Sequence, residues 1–180
     1  MILNEILDTR FKNVHWERKP GEGTEFKFTV PGNAAYNPND VDIEYTVNIQ
    51  KPNKQRVVPA KADAIPGEPK PFLVKLSSVT FRNHLTGYRT LGSGGYRDIN
   101  AQLLFSTIAK IIVYYIESVS GTSQGITFVP AHERLRKAYN ILAKVAEKRS
   151  ELVWINPDRP SDYILIRKDV FEAYKRKIGV

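Results

Sequence analysis

A wide apolar stripe runs through Ala101, Leu104, Phe105, Ile108, Ile111, Ile112 and Tyr115 at three- and four-residue spacing. That is the period of a helix with one broad buried face. A helix so apolar belongs against a sheet, and the rest of the chain has to supply one. Directly before it lies Gly92-Ser93-Gly94-Gly95, with Asp98 or Asn100 placed to cap the helix. Glycines there allow positive φ and a close backbone approach. The helix opening just afterwards aims its unpaired N–H groups and positive dipole end the same way. Such an arrangement suits an anion, typically a phosphate. The plainer reading is a turn that converts a strand into a helix.

The sheet is legible on both sides of that segment. Phe26–Val30 forms a first strand, ended by Pro31-Gly32. Next, Val41, Ile43, Tyr45, Val47 and Ile49 alternate with Asp42, Glu44, Thr46 and Asn48, as expected of a strand with one face on a core. Five prolines between Lys51 and Pro71 read as an extended loop or flap. Phe72–Phe81 is a third strand, and a short one is expected over Tyr88–Leu91. After the apolar helix come a turn at Ser118–Gln124, a strand at Gly125–Val129, and a helix opening at Pro130. The face of that helix is Leu135, Ala138, Tyr139, Leu142, Val145 and Ala146. Leu152–Ile155 and Tyr163–Arg167 read as a hairpin, and Asp169 as the cap of a last helix. With a short amphipathic helix at Ile2–Leu7, the order is α-β-β-β, glycine loop, α-β-α-β-β-α. It predicts a single α+β domain over 1–180, with a central, mostly antiparallel sheet and helices on its faces. The β-α-β unit around Thr127 should add parallel pairing.

Composition narrows the setting. There is no cysteine, which excludes disulfides and thiolate metal sites and fits a reducing, cytoplasmic compartment. No basic start followed by an apolar run suggests a signal peptide, and no stretch approaches a membrane span. The formal net charge is +8, which invites a nucleic-acid or acidic partner. The excess is spread over the chain, being +3 for residues 1–90 and +5 for 91–180. Its richest stretch holds Arg134, Arg136, Lys137 and Lys144, which is either a solvated helix face or a polyanion-binding one.

Several chemistries find no support. There is no G-x-S-x-G elbow and no HExxH pair. The glycine loop lacks the Gly-Lys-Ser/Thr ending of a P-loop, and Arg97 stands where the dinucleotide fingerprint needs its last glycine. Three scattered histidines show no metal-ligand spacing.

Two segments resemble the GCN5-related N-acetyltransferases. That family's cofactor loop, Gln/Arg-x-x-Gly-x-Gly/Ala between a strand and a helix, is similar to Arg89-Thr90-Leu91-Gly92-Ser93-Gly94. Its later helix carries a tyrosine seven positions after a polar residue, as Tyr139 follows His132 here. The likeness covers roughly residues 25–167 and implies the β-β-β-α-β-α-β-β order of an acyl-CoA N-acyltransferase. It implies that amides near Arg89, Leu91, Gly92, Ser93, Gly94 and Gly95 hold the pyrophosphate of acetyl-CoA. The pantetheine arm would lie between two splayed strands, and an amine, small-molecule or protein, would attack the thioester directly. Tyr139 would donate to the departing thiolate, and Glu44, then His84 and His132, are the candidate bases. Asn140-Ile141-Leu142 departs from the family's Gly-Phe ending, and Phe72–Phe81 carries no acidic residue.

A fainter likeness is to small bacteriophage proteins. They share, in this order, Leu91-Gly-Ser-Gly94, Leu104-Phe-Ser-Thr-Ile108, Ile126-Thr-Phe128 and Glu133-Arg-Leu-Arg-Lys-Ala-Tyr139. It implies a shared fold and imparts no activity. The alternative function is a non-catalytic basic protein on that fold, in host cytoplasm, binding nucleic acid or a phage or host protein.

Overall fold

The clearest alternation in the sequence becomes β3 (Ile43–Gln50), which buries Ile43, Tyr45, Val47 and Ile49 and exposes Glu44 and Gln50. This computed structural model describes residues 15–21, 23–31, 42–58, 72–84, 87–88, 101–130, 136–157 and 161–178. Before β3 come β1 (Trp16–Pro20) and β2 (Gly23–Val30), and after it β4 (Gln55–Val58), β5 (Phe72–Asn83) and β6 (Gly87–Tyr88). Helix α1 (Ala101–Ser118), β7 (Gly125–Phe128), α2 (Arg136–Arg149), β8 (Leu152–Trp154), β9 (Tyr163–Arg167) and α3 (Lys168–Ile178) complete the described chain. The helix expected at Ile2–Leu7, the capping residues Asp98 and Asn100, and the glycine loop lie outside the described residues.

The fold is mixed α+β with an open, mostly antiparallel sheet and three helices among the described residues. The main path of the sheet is β1-β2-β3-β5-β7-β9-β8, and among the described strands only β5 and β7 pair parallel. That pair is joined through α1, as the β-α-β reading expected. Two strands escaped the sequence reading. β1 falls in a polar run, Trp-Glu-Arg-Lys-Pro, that alternates weakly because it is an edge strand half open to water. β4 falls inside the proline-rich 51–71 segment and corrects the reading of its first part as loop. Gln55–Val58 carries no proline and pairs with Phe72–Lys75. Asp169, read as an N-cap, sits instead inside the first turn of α3 and accepts two hydrogen bonds from the Arg167 guanidinium, at 3.1 and 2.9 Å.

Helices α1 and α2 cover one face of the sheet. Ile108, Ile111, Ile112 and Tyr115 of α1 are fully buried with Phe26, Val47, Ile126 and Leu165 from four strands. On the opposite face α3 packs Tyr174 against Phe72, Val74, Leu76, Ile164 and Ile166. The Phe72 and Tyr174 rings stack with centroids 4.1 Å apart. α3 reaches only that end, so Glu25, Lys27, Glu44, Asn48, Thr80 and Arg82 present a polar surface over the rest. No described helix is long and apolar enough to cross a membrane.

Candidate functional site

β5 is the strand on which the site depends, because its two edges are occupied differently. Ser78 pairs with Gln50 on one side and Thr127 on the other, and Arg82 pairs with Thr46 and Tyr88. β3 therefore takes one edge, and β7 and β6 share the opposite one. β7 covers that edge only over Leu76–Ser78, and β6 only over Arg82–Asn83. Between them, from Val79 to Phe81, no described strand pairs with β5 on the β7 side. Backbone donors and acceptors along such a gap remain available to a ligand.

A cavity of about 590 Å³ opens at this divergence. Strand alternation sorts its lining. Ser78, Thr80 and Thr127 belong to the polar face, whereas Phe81, Phe128 and Tyr139 belong to the helix side. The cavity thus reaches through the sheet, from the polar surface to α2. Its inner wall is aromatic: Phe128 stacks on Tyr163 at 5.1 Å, and Tyr139 lies 5.9 Å from Phe81 and 5.7 Å from Phe128.

Tyr139 has a double position. Its ring is 3% exposed within the aromatic cluster, yet it lines the cavity. Neighbouring Tyr163 donates its hydroxyl to Asn140 Oδ1 at 2.5 Å, but the Tyr139 hydroxyl makes no hydrogen bond to a described residue. Burial, assisted by Tyr163, pushes its pKa well above the usual tyrosine value, so it stays protonated. On the opposite wall Thr127 is 5% exposed, and its Oγ1 is buried without a hydrogen-bond partner among the described residues. Orphaned polar atoms are rare in native interiors and mark places where a ligand or water completes the structure.

The remaining candidates divide. Glu44 and His84 come together on the polar face: Glu44 Oε1 is 3.3 Å from His84 Nε2, and the His84 amide donates to the Glu44 carbonyl oxygen at 3.1 Å. Thr46 Oγ1 is hydrogen-bonded to the same ring nitrogen at 2.7 Å. This cluster lies outside the cavity lining. Asn48 is the register partner of the cavity residue Thr80, and Glu44 stands four residues from it, about 13 Å along the strand. Arg89, Leu91, Gly92, Ser93, Gly94, Gly95, His132 and Arg134 lie outside the described residues. Arg136 is half-buried at the start of α2, while Lys137 and Lys144 are exposed on its outer face.

No family model, curated protein or solved structure matches this chain. What the site offers is read from its own chemistry.

Sequence reasoning missed the basic side of the cavity, formed by Lys51, Lys54 and Arg56. Register shows how they arrive there. Gln50 pairs with Ser78 and Gln55 with Lys75, so five steps along β3 and β4 match three along β5. The surplus residues bulge over the cavity. The only linear sign is a basic Lys51-Pro-Asn-Lys54 run directly after a strongly alternating strand.

Proposed function

We propose that the protein is an acyl-CoA-dependent N-acyltransferase, transferring acetyl from acetyl-CoA to an amine. The observation that carries this reading is the cavity where the parallel pairing of β5 and β7 ends, with Tyr139, whose hydroxyl has no hydrogen-bond partner among the described residues, in its lining. The single parallel pair among the described strands and the closing β8–β9 hairpin support it, while β4 and β6 are additions to the β-β-β-α-β-α-β-β order that the resemblance implies.

The described strands offer backbone groups suited to part of the cofactor. Val79–Phe81 of β5 and Phe128–Val129 at the end of β7 would hold a pantetheine amide chain by backbone hydrogen bonds, as an added strand would be held. The Arg89–Gly95 loop would bind the pyrophosphate, as the resemblance implies. Acetyl-CoA when bound supplies an activated thioester carbonyl. Tyr139, held protonated by burial, would donate a hydrogen bond to the thioester sulfur as it departs. A tyrosine whose pKa lies far above a thiol's, about 8.5, stabilises a thiolate by that bond rather than by handing over its proton. The described lining contains no carboxylate or imidazole, so the attacking amine sheds its proton to water. Glu44 and His84 would assist only from the polar face.

Acetyl-CoA added to the purified chain should raise its melting temperature, and Gly94→Glu should abolish that response. Tyr139→Phe should keep the response and slow turnover about 10- to 100-fold. No thermal response at millimolar acetyl-CoA would sink the reading.

One observation favours a second reading. Lys137, Lys144 and Lys148 are exposed at helical spacing on the outer face of α2, as a non-catalytic nucleic-acid-binding protein would require.

A further inference from the structure

We infer that the acceptor amine carries an anionic group of its own, a carboxylate or a phosphate, which the β3–β4 bulge binds. This inference rests on the acyltransferase reading of the same cavity. Three cations, Lys51, Lys54 and Arg56, line the cavity on that side, and no aspartate or glutamate does so among the described residues. Lys51 and Lys54 are exposed and have no acidic partner among the described residues. Arg56 faces Asp162 at 3.9 Å, a long contact that leaves much of its charge uncompensated. A pocket with this potential repels an ammonium and attracts an anion. Two consequences follow for a bound amine. Its protonated form is disfavoured, which supplies a neutral nucleophile where the lining has no base. A bare amine also gains little by entering, so binding must come from a negative group nearby, paired with the lysines. Two lysines and an arginine lining one side of the cavity suit a single anionic head near the amine better than a long polyanion, which would need cations repeated along a surface.

The test uses the whole chain labelled with nitrogen-15 and matched product-like probes: N-acetylglutamate, N-acetyl-O-phosphoserine, and the uncharged N-acetylglutamine amide. The amides of Lys51, Lys54, Thr80 and Val129 should shift with either anionic probe at a Kd roughly tenfold or more below that of the uncharged one. Whichever anion binds tighter identifies the head group. Lys54→Glu should remove the preference and Lys54→Gln weaken it, both with unchanged melting temperature. Equal affinity for charged and uncharged probes would overturn the inference, as would loss of acetyl-CoA binding in Lys54→Glu, which would assign these cations to the cofactor's phosphates. Calorimetry with acetyl-CoA separates the two claims. An anion preference without acetyl-CoA binding keeps the anionic seat and removes the acyltransferase reading. Acetyl-CoA binding without an anion preference does the reverse.

Discussion

Tyr45 carries a buried hydroxyl with no partner among the described residues, on a side chain 1% exposed and stacked on Phe28 at 5.7 Å. Burial pushes its pKa up to about 12. The unfolded value lies near 10, so the folded state favours the neutral phenol. Its contribution is complete below pH 10 and is lost as pH climbs through about 12. Tyr139 is displaced in the same direction, and the two should act together. The melting temperature of the wild type should therefore fall as pH rises above 10, and Tyr45→Phe should flatten that fall. At neutral pH the same substitution removes an unsatisfied hydroxyl and leaves the ring, so it should stabilise by about 1 kcal/mol. A denaturant titration at pH 7 and a second at pH 11 check both signs. A loss of stability at pH 7 would mean that the hydroxyl has a partner after all.

At the scale of elements, the parallel junction of β5 and β7 decides whether the cavity exists. It spans only Leu76–Ser78 against Gly125–Thr127, and two devices hold it. The first is a buried relay. Tyr115 of α1 pairs its hydroxyl with Ser77 Oγ at 2.9 Å, Ser77 donates to Ser123 Oγ at 2.8 Å, and Ser123 donates to the Gly125 carbonyl oxygen at 2.7 Å. Ser77→Ala takes from the buried Tyr115 hydroxyl its partner and from Ser123 one of its hydrogen bonds, and should cost about 1–3 kcal/mol in urea unfolding. The second is Gly125 itself. A Cβ there would run into the Leu165 carbonyl oxygen and lie 2.9 Å from Ile166 Cα. Those are backbone atoms of the neighbouring strand and cannot step aside. Gly125→Ala should lower stability by about 2–4 kcal/mol, and acetyl-CoA should lose its stabilising effect on the variant. Neither device is visible in a linear reading, because its members come from β5, α1, β7 and β9. Gly125 reads only as the first residue of a strand, and its constraint is close packing against β9. Gln124 is similar: its amide donates to the Lys75 carbonyl oxygen at 2.7 Å and its side-chain oxygen accepts from the Lys75 amide at 2.9 Å, tying the approach to β7 onto β5.

For the whole molecule, the net charge of +8 bears on partners rather than on the fold. If the outer face of α2 serves a polyanion, duplex binding should weaken about a hundredfold between 50 and 200 mM salt, as three or four phosphate contacts require. Lys137→Glu with Lys144→Glu should reduce that slope and leave the acetyl-CoA response intact, since both lysines lie on the outer face of α2 and do not line the cavity. A flat salt dependence, read by fluorescence anisotropy, would leave the stripe as a solvated helix surface. The two readings occupy different faces, so each can be tested without disturbing the other.

The alternation of β3, the stripe of α1 and the closing hairpin were legible because each is a local period set by which side chains must leave water. Those periods determined the element types, most of their order and the α+β class. Tertiary structure alone decided where β5 parts from β7, that Thr127 and Tyr139 both line the cavity there, and that Lys51, Lys54 and Arg56 line it too. It also separated Glu44 and His84, which share one corner of the sheet, from Tyr139, which faces the cavity. The physical reason is that hydrophobic periodicity is a property of neighbouring residues along a chain, whereas strand register, bulges and cavities arise from pairing between residues far apart in sequence.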